Sequence, residues 1–205
     1  MLLAALKQTS PGRITVVLED GTEIRSSLAV VTDLRLFAGK DLDEEQLREL
    51  RVLSRRSLAR DKAVEYLSHR PMSCRELRDK LLEKGEEEAV ADYCVDWLLG
   101  QGFLNDARYA AMVVRHYAAK NYGAARLRQE LGRRGVPREL WDEALAEAPE
   151  PEDKLDAFIA SRLKDPTDRA QIQKVSNALF RRGYGWDQIR DALRRYTDTL
   201  YEEST

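Results

Sequence analysis

Between residues 14 and 27, ITVVLEDGTEIRSS, apolar and polar residues alternate on either side of Asp20-Gly21. A period of two is that of a strand with one buried face, and Asp-Gly suits the tight turn of a hairpin. SLAVVTDLRLFAG (27–39) then predicts a helix closed by Gly39. LDEEQLREL (42–50) opens another. Asp43 is placed to cap it, Gln46 to complete a capping box, and Leu42 to staple onto Leu47. A lone hairpin is not stable in water, so this module should pack against the helical segment C-terminal to it.

From residue 53 the period is helical, and the pattern repeats. LRDKLLEKG (77–85), LRQELGRRG (127–135) and VSNALFRRG (175–183) fit one template: an aliphatic residue, three positions, Leu, two positions, Lys or Arg, Gly. An amphipathic stretch precedes each one: LARDKAVEYLSHR, ARYAAMVVRHYAAK and EDKLDAFIASRLK. Another comes after each: AVADYCVDWLLGQ, PRELWDEALAEA and WDQIRDALRRY. Each unit thus reads as three helices of about fifty residues, too small to bury much alone and expected to stack in series. Turn-forming residues at 102–106 and at Pro149-Glu150-Pro151 mark the boundaries. The expected architecture is mainly α: a hairpin and helix module over 1–52, then three-helix repeats over 53–104, 105–149 and 150–200, stacked in series.

Composition fits this reading. The 205 residues are 43% hydrophobic, 34% charged and 7% aromatic, which suits several small cores better than one large one. No window approaches the run of about 18 apolar residues of a membrane span, and the start MLLAALKQTS lacks the basic region of a signal peptide. Two cysteines, Cys74 and Cys94, make no disulfide framework and have no metal-ligand spacing. A reduced, cytoplasmic protein without membrane association is the simple expectation.

Charge changes the picture. The chain has a formal net charge of −2, yet residues 105–140 hold 8 basic and 3 acidic side chains, and residues 141–205 hold 10 and 14. On the middle helix of the second repeat, Ala124, Leu127 and Leu131 share one face. Arg126 and Arg133 share the opposite face with Glu130 between them, and Arg128 lies on a margin. Lys84, Arg134 and Arg182 each precede a closing glycine, where a cation favours the helix dipole, so helix stability alone accounts for them. Arg126, Arg128 and Arg133 have no such requirement. Their counterparts are Glu76, Arg78 and Glu83 in the first repeat and Lys174, Ser176 and Arg181 in the third. A charge run is usually a solvated face, but this one stands against an acidic background and suggests an anionic partner. Arg115 and Lys120 lie nearby in support. Tyr122 ends a helix beside the basic stretch and is placed to stack on bases, whereas Tyr117, Trp97, Trp141 and Trp186 read as core.

GFLNDARYA (102–110) and KNYGAARLRQELGRRGV (120–136), together with YLSHRPMSCRELRDKLLEKG (66–85) and LFRRGYGWDQIRDAL (179–193), resemble the RecX family over roughly residues 53–197. One departure is Glu86-Glu87-Glu88, where the family usually places an aromatic or aliphatic residue after the closing glycine. The resemblance implies a binding protein, not an enzyme, with no cofactor. It implies an elongated, curved array that lies in the groove of the RecA–DNA filament and depresses RecA's ATP hydrolysis, strand exchange and co-protease activity, and a monomer is expected. Direct contact with single- or double-stranded DNA is also associated with the family. Under it, Arg115, Lys120, Tyr122, Arg126, Arg128 and Arg133 are the candidate RecA or DNA contacts. The alternative is a sequence-independent DNA-binding helical-repeat protein that never touches RecA. Nothing in the residues suggests catalysis: His69 and His116 are 47 positions apart with no ligand-spaced partner, and Cys94 shares a face with Val90 and Trp97.

Overall fold

In a computed structural model the chain folds as two compact units, residues 1–72 with 76–104, and residues 73–75 with 105–205. The structure describes residues 1–148 and 152–203. The boundary expected at Pro149-Glu150-Pro151 lies outside the described residues.

The first unit opens with a three-stranded antiparallel sheet, β1 (Leu3–Ser10), β2 (Arg13–Leu18) and β3 (Glu23–Ser27), in the order β1-β2-β3. The β2–β3 hairpin turns at Asp20-Gly21 as its sequence requires. Gly21 has φ +84, and the Asp20 carboxylate accepts from the Thr22 amide and hydroxyl, both at 2.9 Å. Strand β1 was not expected. Leu3, Val16 and Leu18 enter a core with Val30, Val31, Leu36, Leu42 and Leu50. The helix expected within 27–39 stops early: α1 is Leu28–Asp33, after which Arg35 takes φ +47 and the chain leaves the helical path.

Helix α2, Glu44–His69, carries the expected capping box, with the Gln46 amide donating to Asp43 at 2.8 Å and the Asp43 amide donating to Gln46 at 3.1 Å. It runs unbroken through residues 52 and 53 and serves both the sheet and the first repeat. Small residues make this contact close: Ser54 and Ser57 are buried, and their hydroxyls meet those of Ser26 and Ser27 at 2.8 Å. On its other side, Arg56 and Arg60 cover the rings of Tyr93 and Trp97. Helices α3 (Cys74–Glu83) and α4 (Glu88–Gly100) complete the first repeat, burying Leu77, Leu81, Ala91, Cys94 and Leu98. The departure after Gly85 is absorbed here, since the nearly buried Glu86 carboxylate takes Lys62 at 2.7 Å and Arg55 at 3.6 Å.

The second unit holds two further three-helix sets. α5 (Asp106–Ala119), α6 (Ala124–Arg133) and α7 (Trp141–Ala146), the last entered through a 3-10 turn at Arg138–Leu140, surround Val113, Val114, Leu127, Leu131 and Ala144. α8 (Glu152–Ala160), α9 (Arg169–Arg181) and α10 (Trp186–Glu203) surround Leu155, Ile159, Leu163, Val175, Leu179 and Ile189. The glycines that close α3, α6 and α9 all have positive φ, as the shared template demands. Trp186 departs from its expected core place: it is 51% exposed and stacks on the equally exposed Phe180, with ring centroids 4.9 Å apart. Tyr184, Ile189 and Ala192 fill that core instead.

The two sets meet backbone to backbone. The Gly123 amide donates to the Arg182 carbonyl at 2.9 Å, and the Ala125 amide to the Gly183 carbonyl at 3.1 Å. The orphan amides at the start of α6 are therefore satisfied by the α9–α10 turn rather than by a side-chain cap.

Candidate anionic-partner interface

Glu130 organises the middle helix. It was expected on the exposed face between Arg126 and Arg133, but its side chain is only 4% exposed. The reason is angular. Glu130 lies at the edge of the Leu127–Leu131 stripe, and three arginines close over it. Arg126 reaches Oε1 at 2.9 Å, Arg133 reaches Oε2 at 3.1 Å, and Arg134 bonds both the carboxylate and, at 3.2 Å, the Glu130 carbonyl. A carboxylate can be buried when charged donors replace its water. Burial by itself would raise the Glu130 carboxyl, but the bonds from Arg134 and Arg133 and their charges outweigh it and hold it below its ordinary 4.5. For Arg134 burial would lower the guanidinium, and its bonds to Glu130 and the Tyr117 hydroxyl raise it instead.

The cations expected merely to serve helix dipoles do more in this unit. Arg134 donates to the Tyr117 hydroxyl at 2.9 Å, which leaves Tyr117 half-buried rather than plain core. Arg182 donates to the carbonyls of Lys120 and Asn121 at 3.2 and 3.3 Å and lies over the Tyr122 ring. Arg126 also lies by the Tyr122 ring, 5.8 Å from its centroid. The Tyr117 and Tyr122 rings are 5.8 Å apart, and the Lys120 ammonium sits 5.6 Å from the Tyr117 centroid.

The result is one connected surface: two tyrosines edged by Lys120, Arg126, Arg133, Arg134 and Arg182. Glu130 is its one carboxylate among the described residues. Of the candidate residues, Lys120, Tyr122, Arg126 and Arg133 come together here. Arg115 and Arg128 do not join them. Arg115 pairs with Glu147 at 3.1 Å, and Arg128 with Asp142 of α7 at 3.6 Å. Arg134 and Arg182 were missed as members. One signal was available for Arg134: it falls seven residues after Leu127, on the core stripe, four after an acid.

Away from this surface, burial pushes the Cys94 thiol up to about 11, so at neutral pH it is a protonated core residue. Among the described residues there is no cluster of His, Cys, Asp or Glu suited to a metal, and no helix is long and apolar enough to cross a membrane.

Three family models match the chain. RecX's first three-helix domain covers residues 59–98, its second 105–145 and its third 160–193. The chain is 34% identical over 139 residues to the regulatory protein RecX of Vibrio parahaemolyticus, spanning 66% of this chain and 89% of that protein. It is 39% identical over 137 residues to that of Xanthomonas axonopodis pv. citri, spanning 65% and 84%. A crystal structure of regulatory protein RecX aligns with TM-score 0.72 at 25% identity, over 93% of this chain and 98% of the other. The RecX structure from Lactobacillus salivarius, at 20% identity, shares the fold with TM-score 0.65. By its three matched domains and its identity to curated relatives, the chain belongs to the RecX family of regulatory proteins.

Proposed function

We propose that the chain regulates the RecA recombinase by seating the surface around Tyr117 and Tyr122 against the RecA–DNA filament, lowering its ATP hydrolysis, strand exchange and co-protease activity. The observation that carries this reading is electrostatic. In a chain of net charge −2, five cations and two tyrosines form one surface whose only carboxylate among the described residues is buried beneath the arginines. Such a surface attracts phosphates or acidic side chains from a distance, and its rings add stacking and cation–π contact. Binding in the filament groove as a monomer in the cytoplasm needs no cofactor. In this reading Arg115 and Arg128, held by Glu147 and Asp142, contribute less than Arg126 and Arg133.

Cosedimentation separates this from a DNA-only protein. The full chain is expected to pellet with RecA–DNA filaments at salt concentrations where it no longer binds the same single-stranded DNA without RecA. Equal retention on naked DNA would favour the sequence-independent DNA-binding reading instead.

A further inference from the structure

Where the second and third repeats meet, residues of α6, α7, α8 and α10 line a cleft of about 260 Å³. Ala118, Ala124, Leu127 and Leu145 give it apolar walls, and Tyr122 and Gly123 line it too. Among the described residues no carboxylate does. Its polar side chains are donors with capacity to spare. Tyr184 is 4% exposed, yet its hydroxyl has no partner among the described residues and is not sealed from solvent. Burial pushes this phenol up, so at neutral pH it keeps its proton and can donate it. The half-buried Lys154 donates to the Ala118 carbonyl at 3.0 Å and has no carboxylate partner among the described residues. Gln188 spends its amide oxygen on the Gly185 amide at 3.1 Å, which leaves its NH2 group as a further donor. Arg128, which stays outside the surface around Tyr117 and Tyr122, lines this cleft instead. Its one ion pair, with Asp142 at 3.6 Å, is exposed and weak. A buried hydroxyl left without an acceptor is costly, so its persistence at a cleft lined by two cations points to an anionic ligand.

From this geometry we infer that the cleft between the second and third repeats binds a small carboxylic acid with a single aromatic ring. The ring takes the apolar walls and the edge of Tyr122, and the carboxylate takes Lys154, Arg128 and the Tyr184 hydroxyl. Size sets the class: a cavity of about 150 Å³ accepts benzene, so this one accommodates one ring with a short acid arm and not a larger molecule. The ligand would touch α6, α7, α8 and α10 together, beside the Gly123–Arg182 and Ala125–Gly183 backbone bonds that join the two repeats. Occupancy therefore braces that junction. The inference goes beyond the RecA reading and does not need it.

The test uses the full chain without RecA, following backbone amides by NMR during titration with 3-phenylpropionate to about 10 mM, a range suited to so small a ligand. The Gly123 and Ala125 amides should shift, and their hydrogen exchange should slow about threefold or more at saturation. The neutral 3-phenylpropanol should bind about tenfold more weakly. Tyr184→Phe removes only the unpartnered hydroxyl, so it should melt with wild type while weakening 3-phenylpropionate about fivefold. Lys154→Met keeps the apolar stem and should weaken it about tenfold. Absence of any shift at Gly123 and Ala125, or wild-type affinity in both variants, would overturn the site. Equal binding of 3-phenylpropanol would overturn the choice of an acid. Tighter binding of a tetrapeptide ending in phenylalanine would overturn the choice of a free small molecule. Failure here leaves the filament cosedimentation result standing, and the reverse also holds.

Discussion

Replacing Glu130 by Ala is expected to destabilise the second unit by about 3 kcal/mol, a fall in melting midpoint of roughly 6–12 °C. Glu130 looks like the acid that weakens a basic patch, and its removal would raise the positive charge. Its burial sets the opposite outcome. Arg134 is only 16% exposed and would lose its carboxylate partner, keeping the Tyr117 hydroxyl and the Glu130 carbonyl as acceptors. The effect has a pH signature. Because the folded-state carboxyl lies below its ordinary 4.5, the stabilisation is fully present above that value and is lost as pH falls through the lower folded-state value. The gap between wild type and Glu130→Gln should therefore be constant near neutral pH and close as the solution is acidified below about 4.5. Chemical denaturation at a series of pH values measures it, and a gap that widens on acidification would contradict the assignment.

Gly123→Val is expected to detach the third repeat from the second. A Cβ at Gly123 would lie 2.4 Å from the Gly183 carbonyl oxygen and 2.6 Å from the Tyr184 amide nitrogen, both backbone atoms that cannot swing aside. Gly183→Ala should do the same from the other side. Its φ of +90 costs an alanine about 1–3 kcal/mol, and the new Cβ would meet the Arg126 amide nitrogen at 2.4 Å. Either variant should free the Gly123 and Ala125 amides to exchange as exposed loop amides, with the Leu127–Leu131 core still protected. It should also pull Arg182 away from Tyr122. Unchanged protection of these two amides would show that the repeats do not depend on this backbone contact.

Much of the fold was legible because local chemistry and pattern agreed. Asp20-Gly21, the Asp43–Gln46 box and the three closing glycines each have a geometry that the residue alone requires. Strand β1 was not legible: only Leu3 of its eight residues is fully buried, so an edge strand left almost no alternation to read. Trp186 misled because large aromatics usually fill cores, whereas here Tyr184 and Ile189 had already filled it. The candidate site was half legible. A count over residues 105–140 found the surplus of cations but stopped short of Asp142 and Glu147, which engage Arg128 and Arg115. The same count credited Glu130 to the surface, since the closing of three arginines over one carboxylate exists only in three dimensions. Arg182 entered from another repeat, and no local pattern could have placed it beside Tyr122.

Charge reversal at Arg126 is a poor probe of function, because a new carboxylate would stand one turn from the buried Glu130. Lys120 and Arg133 are the exposed members, and Arg126 with Arg134 can hold Glu130 without them. The most direct measurement is therefore RecA's DNA-dependent ATPase at fixed ionic strength, titrated with wild-type chain, with Lys120→Ala/Arg133→Ala, and with Arg115→Ala/Arg128→Ala. The first double variant should melt within about 2 °C of wild type, as exposed changes do, and lose most of its inhibition. The second should inhibit nearly as well as wild type, and added salt should erode the wild-type effect. Undiminished inhibition by Lys120→Ala/Arg133→Ala would mean that the surface around Tyr117 and Tyr122 is only solvated charge and that regulation acts from elsewhere on the chain.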